Sequence, residues 1–158
     1  MLPQDRSDSA QQVIVDSHAR RSEYGRLQIE LDAPLVRKYD KPRPVTKYDK
    51  RGSQRVQLRL YDDSHRLKTS IEAGHAVSFD DRDIMQASDS VVVIDYSNGD
   101  TIYLQDLIWN SAEDRIYSNN VVRAKNGNRL TIGDGFRSDQ RMENLQILHQ
   151  RGVIEFND

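Results

Sequence analysis

Cysteine is absent from the 158 residues. That removes disulfide bridges, thiolate nucleophiles, zinc ribbons and iron–sulfur sites together. Long hydrophobic runs are absent too. The longest, Val91-Val92-Val93-Ile94, falls far short of the roughly 18 residues of a membrane-spanning helix. Met1-Leu2-Pro3 leads straight into Gln4, Asp5, Arg6 and Ser7, without the apolar centre of a secretory leader. Excess positive charge is missing as well. Lys plus Arg number 23 against 25 Asp plus Glu, a formal charge of -2, so nucleic acid is not an expected partner. What remains is polar but not of disordered composition: 36% hydrophobic and 30% charged. The length suits one domain with a core of its own.

The apolar residues alternate. Leu27, Ile29 and Leu31 are interleaved with Gln28, Glu30 and Asp32, the period of a strand with one buried face. Val56, Leu58 and Leu60 repeat the pattern, and beyond the turn Asp62-Asp63-Ser64-His65 so do Leu67, Thr69, Ile71 and Ala73. Strands are also predicted at Val77–Phe79, Ile84–Ala87, Val91–Tyr96, Thr101–Leu104, Ile116–Tyr117, Leu130–Ile132, Leu145–Leu148 and Gly152–Phe156. Asn98-Gly99 and Asn126-Gly127-Asn128 are hairpin signals. Lys41-Pro42-Arg43-Pro44 reads as a loop, because closely spaced prolines cannot join a ladder. Leu104, Leu107 and Ile108 have helical spacing, but over one turn only. Residues 1–21 read as a polar tail or linker, ordered in part, and 22–158 as a single all-β domain.

The chain also repeats at about thirty residues. Leu67, Ala73, Ala76, Phe79, a polar turn, Ile84 and Val91 match Ile102, Leu104, Leu107, Trp109, a polar turn, Ile116 and Val121. Leu130, Gly133, Phe136, a polar turn and Leu145 follow the same order. The physical meaning is stacked β-hairpins that bury their apolar faces only against their neighbours.

Particular residues carry a family resemblance. The run Leu104-Gln105-Asp106-Leu107-Ile108-Trp109-Asn110, then Arg115-Ile116-Tyr117-Ser118-Asn119, Val121, Ile132-Gly133-Asp134-Gly135-Phe136 and Gly152-Val153-Ile154 resembles the LptC family of lipopolysaccharide-export proteins. Upstream, Gly25, Leu31-Asp32-Ala33-Pro34, Tyr39, Tyr61-Asp62, Ile71, Ala73 and Ala76 also fit. The likeness covers residues 22–156; the family's N-terminal membrane anchor is not in this sequence. The resemblance implies an open, twisted β-jellyroll of two antiparallel sheets with OstA-like stacked hairpins. It implies a periplasmic protein of outer-membrane biogenesis, held at the inner membrane by a preceding segment. Such a protein receives lipopolysaccharide from an inner-membrane ABC transporter and passes it to a periplasmic bridge protein of the same fold, without catalysis or cofactor.

Lipid acyl chains need an apolar trough, since each buried methylene gains about 0.8 kcal/mol. The expected inward positions are Leu58, Leu60, Ile71, Val93, Ile102, Leu104, Trp109, Ile116, Leu130, Ile132, Phe136 and Ile147. The same residues equally suit a core packed on itself. An open jellyroll also leaves strand edges that recruit another chain. By resemblance, Leu27, Ile29 and Leu31 are expected to face the transporter, and Gly152, Val153, Ile154 and Phe156 the bridge protein.

Signals for an enzyme or a metal site are weak. His18, His65, His75 and His149 form no paired metal motif. Ser64-His65 beside Asp62 and Asp63 reads as a solvated turn, because adjacent residues do not give triad geometry. Asp80-Asp81-Arg82-Asp83 lacks the ligand spacing of a calcium loop, and Gly133-Asp134-Gly135 reads as a sharp bend. Arg20, Arg21, Arg26, Lys38 and Lys41 read as a solvated face, although they could touch lipid phosphates. Two rival classes stay open: an edge-pairing β scaffold of the cell envelope that holds no lipid, and a carbohydrate-binding sandwich using some of the seven tyrosines.

Overall fold

The structure, a computed structural model, describes residues 10–155. Alternation dominates the sequence, and the described residues form fourteen strands and no helix. They are β1 (Gln12–Glu23), β2 (Arg26–Tyr39), β3 (Val45–Asp49), β4 (Val56–Tyr61), β5 (Leu67–Ala73), β6 (His75–Phe79) and β7 (Ile84–Asp95). The second half holds β8 (Asp100–Asn110), β9 (Arg115–Ser118), β10 (Val122–Asn126), β11 (Arg129–Gly133), β12 (Phe136–Ser138), β13 (Gln146–Ile147) and β14 (Gly152–Glu155).

Three long strands change sheets partway along. β2 pairs with β4 over residues 29–32 and with β3 over 35–39. β7 pairs with β6 over 84–88 and with β5 over 92–95. β8 pairs with β10 over 101–104 and with β9 over 108–110. The result is an open, twisted β-jellyroll of two antiparallel sheets. The first sheet holds the start of β2, β4, β5, the end of β7, the start of β8, β10, β11 and β14. The second holds the end of β2, β3, β6, the start of β7, the end of β8, β9, β12 and β13. Each circuit runs out through the first sheet, bends into the second, turns back and returns. Circuits begin at β2, β5, β8 and β11, and the last three coincide with the three repeats in the sequence. Leu104, Leu107 and Ile108 lie on β8, so their helical spacing is incidental.

Where a strand crosses between sheets its ladder is interrupted, and the freed backbone and side-chain groups need partners. An aspartate stands at the bend of β1, of β7, of β8 and between β11 and β12. Asp16 accepts from Arg51 at 2.7 Å. Asp89 pairs with Lys50 at 3.0 Å, and its carbonyl accepts the Gly74 N–H at 3.0 Å. The Arg55 guanidinium donates to the carbonyls of Asp89 and Ser90. Asp106 accepts from Ser118 and Asn120, both at 2.8 Å. Asp134 pairs with Arg151 at 2.9 Å. Asp16, Asp89 and Ser90 have positive φ, which short polar residues tolerate better than β-branched ones. Two glycines let the outgoing and returning arms of a circuit approach at this line. A Cβ on Gly74 would stand 2.0 Å from Asp89 Oδ2, and one on Gly133 would stand 2.5 Å from Ile147 Cγ2 and 2.6 Å from the Leu148 carbonyl oxygen.

The inner faces make one main core. Leu58, Leu60, Ile71, Val93 and Ile102 from the first sheet meet Leu107, Ile116, Phe136 and Met142 from the second sheet and its loops. A smaller cluster of Ala33, Val36 and Val56 continues it at the N-terminal end. Truncating a fully buried phenylalanine such as Phe136 costs about 3–5 kcal/mol.

Two expectations change. The polar tail predicted for residues 1–21 does not extend that far: residues 12–21 belong to β1, which pairs along β2 from Gln12↔Lys38 to Glu23↔Arg26. The reason is that an edge strand needs few apolar residues. Ile14 packs inward while Val13 and Val15 are exposed. β3, between the proline loop and β4, was not predicted as a strand; only Val45 and Tyr48 are apolar in it.

Replacing Gly133 by alanine presses a methyl group onto the Leu148 backbone, which cannot step aside as a flexible side chain can. Stability is expected to fall by about 1–3 kcal/mol, read as a lower urea midpoint. An unchanged midpoint would contradict the close approach.

Candidate functional site

Most of the predicted interior residues do face the space between the sheets. Leu58, Leu60, Ile71, Val93, Ile102, Leu104, Ile116 and Phe136 are buried there together, with Trp109 and Ile147 packed against them. The register explains the grouping, because directly paired residues share a face: Leu58, Ile71, Val93, Ile102 and Ala124 stand in one row across five strands.

Leu130 and Ile132 are the exceptions, and their interior assignment is corrected. Leu130 pairs with Lys125 and Ile154, and Ile132 with Arg123 and Gly152. Lys125, Arg123 and Ile154 are exposed, so these two residues lie on the outer face of the first sheet. Thr131 and Gly133 take the inward positions of β11. Alternation had indicated that Leu130 and Ile132 share a face; a shift of one residue decides which face that is.

The two sheets are joined differently along their two sides. On the bend side they are continuous. On the opposite side hairpin turns form two lips, and a cleft of about 490 Å³ opens between them. Ile29, Leu60, Tyr61 and Lys68 of the first sheet line it, facing Trp109, Asp114, Gln140 and Glu143. Among the described residues, one polar side-chain contact spans the lips: Lys68 Nζ to Glu143 Oε1 at 3.4 Å.

The loop of residues 139–144 holds the second lip in place. Asp139 accepts the Glu143 N–H at 2.9 Å and the Asn144 side-chain amide at 2.8 Å. Gln140 accepts the Trp109 indole N–H at 2.9 Å, and its own N–H donates to Asp114 at 3.0 Å. Met142, between them, is turned into the core with φ 57° and is 2% exposed. The sequence reading missed Met142, because a lone apolar residue in a polar loop carries no periodicity. Below the cleft, the space bounded by Leu31, Leu58, Ile71, Ala76, Leu107 and Trp109 amounts to about 40 Å³.

The predicted edges divide. Leu27, Ile29 and Leu31 do not form an edge. β2 is paired with β1 on one side and with β4 on the other, and Ile29 and Leu31 pack against the core. The strand taken for a tail, β1, is the real edge. At the other end, among the described residues, β14 pairs with β11 alone, so Gly152, Val153 and Ile154 lie on an edge strand, with Val153 and Ile154 exposed. Phe156 lies outside the described residues.

The other singled-out groups have local partners. Asp62 accepts the N–H groups of Ser64 and Arg66 at 2.8 and 2.9 Å, an arrangement that closes a turn. Asp80 accepts from Thr46 and Ser78, and Asp81 pairs with Arg43. His75 lies 2.5 Å from Asp49, which also takes Arg37 at 2.6 Å. His18 and Arg59 both bond Asp32, and Tyr61 donates to Glu30, so a polar network ties β1, β2 and β4 together. Among the described residues no three of His, Asp and Glu come together as a metal group.

Several of these carboxyls are held below their ordinary values. For Asp32, burial acts upward, but hydrogen bonds from His18 and Arg59 outweigh it. At half-buried Asp49 the same penalty acts, and Arg37 and His75 prevail. At Asp139 the loop's N–H groups overcome burial. Each therefore contributes stability that is present above the unfolded carboxylate range, about pH 4, and is lost as pH falls through the lower folded value. The melting temperature is expected to drop between about pH 5 and pH 3, and to drop less in Asp32→Asn. A melting temperature flat across that range would contradict these assignments.

No protein-family model and no curated protein matches the chain.

Proposed function

We propose that the chain binds lipopolysaccharide between its two sheets and passes it along an envelope export route. In this reading it is an LptC-like component in the periplasm, anchored at the inner membrane. It takes the lipid from an ABC transporter there and hands it to a bridge protein of the same fold.

One observation carries the proposal: two sheets continuous on the bend side enclose an apolar interior, and among the described residues a single ion pair fastens them at the lips. The cleft of about 490 Å³ lies within the range of ligand sites, roughly 300–1,000 Å³. Arg21, Lys68 and Arg141 at its rim suit the phosphates of lipid A, which would compete for them with the carboxylates that share the rim, Glu143 for Lys68 foremost. The interior space of about 40 Å³ holds only a few waters, each needing about 10–15 Å³ of it. Acyl chains therefore enter only if the lips part. A partly exposed ion pair is worth about 0–1 kcal/mol, so the latch resists opening weakly. Each methylene then buried gains about 0.8 kcal/mol.

The second reading, an edge-pairing scaffold without lipid, draws on a different observation. Val93, Ile102 and Phe136 are completely buried, and β1 and β14 each have one unpaired side.

Photo-crosslinking in cells separates the two. A photoreactive residue at Leu60 or Trp109 is expected to capture lipopolysaccharide, while one at Gln86, exposed on the outer face of the second sheet, is not. Capture of protein at β14 with no lipid at Leu60 or Trp109 would favour the scaffold and end the carrier reading.

A further inference from the structure

We infer that the outer face of the first sheet, across β7, β8, β10, β11 and β14, docks on the surface of an anionic lipid bilayer. The register places Val92, Tyr103, Arg123 and Ile132 in one outward row, and Ile94, Thr101, Lys125, Leu130 and Ile154 in the next. Tyr103 and Ile154 are 45% and 46% exposed. Among the described residues, no acidic side chain occupies an outward position of these strands, although the chain carries 25 acids. The nearest on that face is Glu72, opposite Val92, and Arg55 stands 3.5 Å from it. A groove of about 270 Å³ runs between Val92, Tyr103, Gln105, Val121 and Arg123.

The combination selects the occupant. Aliphatic side chains with a tyrosine among them suit the boundary between headgroups and acyl chains, and cations beside them suit lipid phosphates. A second copy meeting this face by two-fold symmetry would present the same patch, so Arg123 and Lys125 would find no outward acid of these strands to receive them. The contrast with the other half of the same face is sharp. Across β1, β2 and β4 it carries the acids Glu30 and Asp32, paired with Arg20, His18 and Arg59. The surface faces away from the interior and stands independently of the lipid-carrier reading.

Flotation of the full chain with vesicles tests it. Phosphatidylglycerol vesicles are expected to carry the protein and phosphatidylcholine vesicles are not. Arg123→Glu combined with Lys125→Glu should cut the bound fraction about tenfold, as should salt of about 0.5 M. Circular dichroism checks that the variant folds, and Tyr103→Asp supplies a second, charge-opposed probe. Equal binding to both vesicle types, absence of binding, or full binding by the double variant would overturn the inference. So would a solution dimer that the double variant abolishes, because the face would then belong to a second copy. Lipopolysaccharide capture from Leu60 should be unchanged in the double variant, which keeps the two readings separable.

Discussion

A strand that leaves one sheet for another must break its alternation at one point and satisfy the groups exposed there. In this chain that demand falls on a row of aspartates and close-packed glycines. Asp16, Asp89, Asp106 and Asp134 each meet a cation, a hydroxyl or an amide from another strand or its adjoining loop. Gly74 and Gly133 let the two arms of a circuit close up without a side chain between them. Because β2, β7 and β8 cross from one sheet to the other along this line, the two sheets are continuous there and can separate only on the far side.

The asymmetry organises the rest of the molecule. Apolar residues from both sheets converge between the bends and the lips, so the interior is bounded by backbone on one side and by turns on the other. Lys68 and Glu143 bridge those turns, and Asp139, Gln140 and Met142 set the position of the loop that carries Glu143. The outer faces are specialised in turn. Polar pairs cover the first sheet near β1, and an aliphatic, cationic surface covers it near β14.

Much of this was legible in the sequence where burial is one-sided. Leu58, Leu60 and Ile71 alternate with polar residues because one face of β4 and β5 meets water, and the repeat at Leu67, Ile102 and Leu130 reflects successive circuits of one winding. Legibility ended where both faces have similar chemistry or neither is buried. β11 presents Leu130 and Ile132 outward and Thr131 and Gly133 inward, so the more apolar side is the wrong guide to the interior. β1 is an edge strand whose polarity looks like a tail, and pairing with β2, rather than composition, makes it a strand. The Lys68–Glu143 bridge joins residues far apart in the chain, and no local pattern announces it.

The distance across the lips is the most direct test. With no cysteine in the chain, Asp63→Cys on the first lip and Glu113→Cys on the turn of the second can carry a pair of spin labels without background and leave the Lys68–Glu143 bridge in place. Adding lipopolysaccharide should shift the distance distribution to longer values as the sheets part, while a lipid too short to fill the interior leaves it in place. An unchanged distribution with lipopolysaccharide demonstrably bound would contradict a carrier that opens at its lips.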